Sequence, residues 1–165
     1  MGYYGVRYNW NTSMTAPAPK SFEDIALTLT DRTVLLDVDG TLLPDGDDTL
    51  GASAIIAAKQ LAERNTVYLL TNGKDRARIN QISSVLGIAV APSGVPAGKP
   101  RVRAVTGIVP GDRPFVVVGD KYLIDGLLAR NLKAEFIPTS RKRSGSERTT
   151  VRLSYMIDRV VSWLL

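Results

Sequence analysis

Thr33-Val34-Leu35-Leu36-Asp37-Val38-Asp39-Gly40-Thr41 is the stretch from which the rest of the chain is read. Thr33 to Leu36 are apolar or β-branched and turn-forming residues follow at once, the pattern of a short buried strand. A carboxylate stands where that strand should end, and a second follows two residues on. Period-2 geometry puts both on one side of an extended chain, and Gly40 and Thr41 place Asp39 just past the strand, in a turn. Two carboxylates this close repel and raise each other's pKa unless a cation lies between them. A hard divalent ion such as Mg²⁺, which takes oxygen ligands, meets that need. Ligands of open α/β sheets bind at the carboxyl ends of strands, where these two acids fall.

Composition narrows the chemistry. The chain has 165 residues, enough for one α/β domain with a real core. Its 44% hydrophobic and 22% charged content is that of an ordinary globular protein, and no apolar run approaches the roughly 20 residues of a membrane span. There is no cysteine, hence no disulfide, thiolate nucleophile or thiolate metal site. There is no histidine, which removes serine–histidine triads, histidine bases and histidine-ligated zinc. Any hydrolytic chemistry must therefore run on carboxylates, lysine, hydroxyls and an oxygen-bound metal. A net charge of +5 favours anionic partners such as phosphorylated substrates or acidic membrane surfaces. No basic–aromatic interleaving or nucleic-acid motif is present, so nucleic acid is not expected as a partner.

Around the central stretch the chain alternates strand and helix. Residues 1–20 read as a flexible aromatic and Pro-rich tail, with Tyr3, Tyr4, Tyr8 and Trp10 followed by Thr15-Ala16-Pro17-Ala18-Pro19. Residues 21–165 read as one domain. Ser21 caps a short helix. Residues 51–64 have helical spacing, with Ile55, Ala58, Leu61 and Ala62 on one face and Asn65 as the stop. A second strand covers residues 66–70 and a helix runs from Asp75 to Leu86, with Ile79, Ile82, Val85 and Leu86 apolar and Gly87 at its end. A short third strand follows at 88–90. Lys99-Pro100 opens a third helix through Gly107, because Pro suits a first turn. Strand four covers Phe115 to Val118, a helix covers Tyr122 to Arg130, and strand five covers Ala134 to Ile137. A polar, basic loop then leads to a last helix, Thr150 to Leu165, with Val151, Tyr155, Ile157, Val160, Val161 and Leu164 as an apolar stripe. The expected fold is α/β: a doubly wound, Rossmann-like, mainly parallel sheet of about five strands with helices on both faces.

Four strand ends carry a polar group: Asp37 and Asp39, then Thr71, then Lys99, then Asp120 and Asp125. Right-handed crossovers bring these strand ends to one edge of the sheet, so acids, a hydroxyl and a lysine converge on one crevice. In this order they resemble the four motifs of the haloacid dehalogenase-like phosphatases, over residues 21–165. The resemblance implies Asp37 as nucleophile, Asp39 as general acid and base, Thr71 as a phosphate-holding hydroxyl and Lys99 as the charge-neutralising lysine. It implies Mg²⁺ held by Asp37, Asp120 and Asp39 through its main-chain carbonyl, with Asp125 either touching the metal or lying beside its ligands. Gly40, Thr41, Asn72 and Gly73 would join Thr71 and Lys99 in binding the phosphoryl group.

The intervals from Asp37 to Thr71 and from Thr71 to Lys99 leave no room for a cap domain, which is similar to the capless subclass III. Leu36 to Pro44, Leu70 to Gly73, Ala97 to Pro100 and Val118 to Asp120 look most like the phosphatidylglycerophosphatase-type branch of subclass IIIA. Gly40, Lys121 and Ile124 depart from that branch, which often has Asn, Gln and Thr there. The implied activity is Mg²⁺-dependent hydrolysis of a phosphomonoester, with phosphatidylglycerophosphate one substrate and a soluble sugar phosphate, nucleotide or phosphoprotein the alternative. Receiver domains of signalling systems share the Asp, Thr and Lys but lack a second Asp two residues on, so Asp39 speaks for turnover. The implied setting is cytoplasmic. Peripheral contact with an anionic membrane through Arg141, Lys142, Arg143, Arg148 and Arg152, and a homo-oligomer that supplies a lid, are further expectations.

Overall fold

The computed structural model describes residues 19–108, 112–145, 149 and 153–158. Strands β1 (Thr33–Leu36), β2 (Thr66–Leu69), β3 (Ala89–Val90), β4 (Phe115–Gly119) and β5 (Glu135–Pro138) form one sheet in the order β3-β2-β1-β4-β5. Every pairing in it is parallel. Helices α1 (Phe22–Thr28), α2 (Ala52–Arg64), α3 (Arg76–Leu86) and α4 (Leu127–Leu132) surround it, with a 3₁₀ turn at Val102–Val105 and a π turn at Tyr122–Gly126. This is the doubly wound α/β architecture expected from the sequence.

β1 is buried along its whole length because both faces of the sheet are covered. Val34 and Leu36 face a core that includes Phe22, Ile25, Leu61, Ile79 and Ile82. Leu35 faces the opposite one, with Ala104, Val117, Leu128 and Phe136. The winding reverses at the centre: β2 and β3 build outward on one side of β1, and the chain then returns to place β4 on the other. Leu36 is in register with Leu69 and with Val118, so these strands end side by side. A crevice opens at such a reversal, outside the carboxyl ends of the strands.

Several local signals act as read. The Ser21 side chain accepts the Asp24 amide at 3.1 Å. Gly87 ends α3 with φ 68°, while Asp75, expected as the helix's first residue, instead caps it by accepting the Arg78 amide at 3.0 Å. Asn65 stops α2 and is fully used there: its Nδ2 donates to Leu29 and Leu61 carbonyls at 2.9 Å, and its Oδ1 accepts the Arg32 amide at 3.0 Å.

Other expectations are corrected. Lys99-Pro100 does not open a helix; only Val102–Val105 coils, as a 3₁₀ turn. The Lys99 amide and carbonyl are both held by the Asn72 side chain at 2.9 Å, and Val102, Val105 and Thr106 are stiff β-branched residues. The helix from Tyr122 begins as a π turn, α4 starts at Leu127, and β5 runs one residue beyond its expected end. Val85 in α3 is 43% exposed. In the last helix, residues 153–158 are helical, but Leu153, Met156 and Ile157 face outward while Asp158 is buried. Tyr155 and Asp158, three apart on one face, find polar partners at the strand ends, and that decides which face turns inward. Val151, Val160, Val161 and Leu164 of the expected stripe lie outside the described residues, as do tail residues 1–18 and the basic Arg148 and Arg152. Among the described residues no helix is long and apolar enough to cross a membrane.

Candidate active site

Asp37 is the first residue beyond β1. Its amide still donates to the Val118 carbonyl at 2.9 Å, so the ladder fixes the backbone from which the carboxylate projects. Oδ2 accepts the Thr41 hydroxyl at 3.1 Å, and Oδ1 lies 2.5 Å from Lys99 Nζ. The same ammonium lies 2.6 Å from Asp125 Oδ1. Asp120 follows β4 directly. Asp37, Asp120 and Asp125 each offer one carboxylate oxygen within 4.8 Å of the others, and all three are buried.

The π turn delivers Asp125. The Asp125 and Gly126 amides both reach back to the Lys121 carbonyl, at 2.8 and 3.2 Å, which widens the turn and tips the side chain back over β4. It packs on Gly119, where a Cβ would come within 2.5 Å of the Asp125 Cγ. Gly40 is required on two grounds. Its φ is 87°, and a Cβ there would meet Asp120 Oδ2 at 2.1 Å.

The cluster is electrostatically incomplete. Burial pushes the Asp37 carboxyl well above the ordinary carboxylate range; Lys99 opposes the shift, and Asp125 and Asp120 add to it. Burial likewise drives Asp120 up to about 7, against the pull of Lys121 and Tyr155 and with help from Asp125 and Asp45. Burial alone would depress Lys99, but Asp125 and Asp37 outweigh it and hold its ammonium above the ordinary lysine value. Three carboxylates against one ammonium leave two negative charges uncompensated when all are ionised. Asp120 Oδ1 is buried with no hydrogen-bond partner. An all-oxygen donor set, an orphaned carboxylate oxygen and a surplus of two charges fit a hard divalent cation.

Asp39 stands apart. Its carboxylate lines the same cleft but lies outside the acid cluster: Oδ2 accepts the Thr71 hydroxyl at 2.8 Å, and Oδ1 pairs with Arg78 at 2.8 Å. The Gly73 amide donates to Thr71 Oγ at 2.9 Å, which sets the hydroxyl's direction. The cleft, of about 700 Å³, is lined by Asp37, Asp39, Thr71, Asn72, Gly73 and Lys99 among others. Gly40 and Thr41 do not line it. Thr41 lies behind Asp37 as its hydrogen-bond donor, and Gly40 lies under Asp120 and Tyr155, so neither is placed to touch a substrate.

Three participants went unread in the sequence. Arg78 anchors the 44–48 turn by donating to the Asp47 carbonyl at 2.9 Å from Nε and 2.7 Å from Nη2, and it pairs with Asp39. Its signal was its place in the first turn of a helix that begins at a strand's carboxyl end, a turn that faces the crevice. Tyr155 reaches Asp120 from the last helix, and Asp45 joins it there. Burial, then the neighbouring Asp120 charge, raises the Tyr155 hydroxyl above the ordinary tyrosine value, so it stays a donor. Of the basic loop, Lys142 pairs with Glu23 at 2.5 Å and Arg141 lies 3.2 Å over the Tyr155 ring, leaving Arg143 exposed. Comparison with protein-family models finds no match to this chain, and comparison with curated proteins finds none either.

Proposed function

We propose that the protein is a Mg²⁺-dependent phosphomonoester hydrolase of the haloacid dehalogenase-like type, working through an aspartyl-phosphate on Asp37. The observation that carries this reading is the buried Asp37 carboxylate. It is fixed by Thr41 and Lys99 beside two further acids, and a second aspartate stands on a separate hydrogen-bond system at the same cleft. A divalent cation held by Asp37, Asp120 and Asp125 would screen the nucleophile from the phosphoryl charge. Asp37 attacks phosphorus, and the bond to the ester oxygen breaks. A proton on Asp39 passes to that leaving oxygen. Asp39 then takes a proton from water as the water attacks phosphorus, and the bond to Asp37 breaks to release phosphate. Thr71 and the loop amides hold the non-bridging oxygens, and Lys99 offsets charge on Asp37 throughout.

The placement of Asp39 favours turnover over a stored phosphoryl group, because an ionisable group at the cleft is what hydrolysis of the intermediate needs. Between Asp37 and Thr71 the chain forms only turns, one isolated bridge, α2 and β2. Between Thr71 and Lys99 it forms only α3 and β3. Both support a capless site open to bulky substrates. The substrate classes are a lipid phosphate or a soluble one. Hydrolysis of p-nitrophenyl phosphate should require Mg²⁺ and stop in excess chelator, with a hydroxylamine-labile phosphoenzyme in rapid-quench samples. Undiminished hydrolysis in chelator would sink the reading.

A further inference from the structure

The last helix does more than cover the sheet. Tyr155 directs its hydroxyl onto the strand ends, 2.5 Å from Asp120 Oδ2 and 2.6 Å from Asp45 Oδ2. Its ring is held by two cations, with Lys121 Nζ 4.3 Å and the Arg141 guanidinium carbon 3.2 Å from the centroid. One turn on, Asp158 accepts the Tyr122 and Leu123 amides at 3.1 and 2.7 Å, the first residues of the π turn that delivers Asp125. The helix is therefore anchored on both acids that follow β4: directly on Asp120 and through the turn on Asp125.

We propose that Tyr155 is a positioning residue for the metal centre, holding Asp120 so that its other oxygen faces the site. The inference rests on the metal reading above. Asp120 has two oxygens, of which Oδ2 is taken by Tyr155 and Oδ1 is left buried without a partner. A carboxylate free to rotate would turn Oδ1 toward Lys121 or water. With Oδ2 pinned, Oδ1 stays free of a hydrogen-bond partner, in a cluster where Asp120, Asp37 and Asp125 each offer one carboxylate oxygen within 4.8 Å of the others. Gly40 packs against the same contact, where a Cβ would come within 2.4 Å of the Tyr155 hydroxyl, so turn, ligand and tyrosine fit as one unit. Groups that orient a metal ligand from behind are worth about 10- to 100-fold in metal affinity.

The test uses the full chain and Mn²⁺ as the probe, with affinity measured by calorimetry and by water-proton relaxation. Tyr155→Phe keeps the ring that Lys121 and Arg141 contact and removes only the hydroxyl. It should weaken Mn²⁺ binding by about 10- to 100-fold while the metal-free unfolding temperature stays within a few degrees of wild type. Asp158→Asn serves as the control for helix anchoring: it should lower the unfolding temperature more than Tyr155→Phe does and weaken Mn²⁺ binding less. Mn²⁺ affinity within twofold of wild type in Tyr155→Phe overturns the positioning role and leaves the metal centre standing. No Mn²⁺ binding by the wild type overturns both.

Discussion

Asp37 and Asp39 are the same residue type two positions apart, yet the fold gives them opposite surroundings. Asp37 is sunk among like charges, with burial and two neighbouring acids working against its ionisation and Lys99 working for it. Asp39 lies at the cleft on a neutral hydroxyl and an arginine. A group fixed in place and short of counter-charge suits a nucleophile that works beside a metal. A group on its own hydrogen-bond system at the mouth suits proton transfer. Division of labour between paired carboxylates arises from such differences in environment.

The sharpest way to break this contrast is to neutralise each acid in turn. Asp37→Asn should abolish phosphomonoester hydrolysis by at least about 10⁴-fold, the scale seen when a nucleophile is removed. Asp39→Asn should lose about 10²–10⁴-fold and accumulate phosphoenzyme, which Asp37→Asn cannot form. Quenched-flow labelling separates the two; equal phosphoenzyme in both variants would erase the distinction.

A smaller effect concerns Lys99, whose ion pairs are with Asp37 and Asp125. Lys99→Met should destabilise the metal-free protein by about 3–5 kcal/mol at pH 8, as removing one partner of a buried pair does, with part of the loss restored by millimolar Mg²⁺. Urea unfolding with and without the ion reads both. A cost below 1 kcal/mol would mean that the cluster is far more hydrated than its burial implies.

The gentlest probe is pH. Asp120 is raised to about 7 in the folded protein against an ordinary value near 3.8, and Asp37 is raised as well. The folded state thus holds protons that the unfolded chain releases. Their contribution to stability is fully present below about pH 4 and is lost as pH rises toward and through about 7. Metal-free protein should therefore lose stability across that window, at up to about 1.4 kcal/mol per pH unit for each proton. A bound divalent ion should flatten the slope. A metal-free stability that rises from pH 5 to 7 would contradict the crowding of these acids.

The basic loop shows why a linear reading misjudges surface charge. Arg141 and Lys142 read as free to meet an anionic surface, but one is stacked on Tyr155 and the other is paired with Glu23. Glu23 lies 119 residues from Lys142 in sequence, and Tyr155 lies on the helix that follows the loop. Tyr155 itself read as part of an apolar stripe, because spacing reports which residues share a face and not whether that face will find polar partners. The same limit applies to Lys99-Pro100, where Asn72, distant in sequence, grips the backbone.

Strand and helix alternation, the buried β1, the Ser21, Asn65 and Gly87 helix-end signals and the strand-end positions of Asp37, Thr71 and Asp120 were all legible in the sequence. Each depends on periodicity or on a neighbour within a few residues, and backbone sterics translate such patterns directly into local structure. The tertiary structure alone decided that Thr41 holds the Asp37 carboxylate, that Arg78 pairs with Asp39 and that Tyr155 reaches Asp120. It also decided that Asp125 joins the acid cluster, through a π turn that no spacing announced. These are contacts between segments whose separation is set by the order of strands in the sheet. The chemistry of a carboxylate is settled by what surrounds it in space, and that is known only once the sheet has brought the segments together.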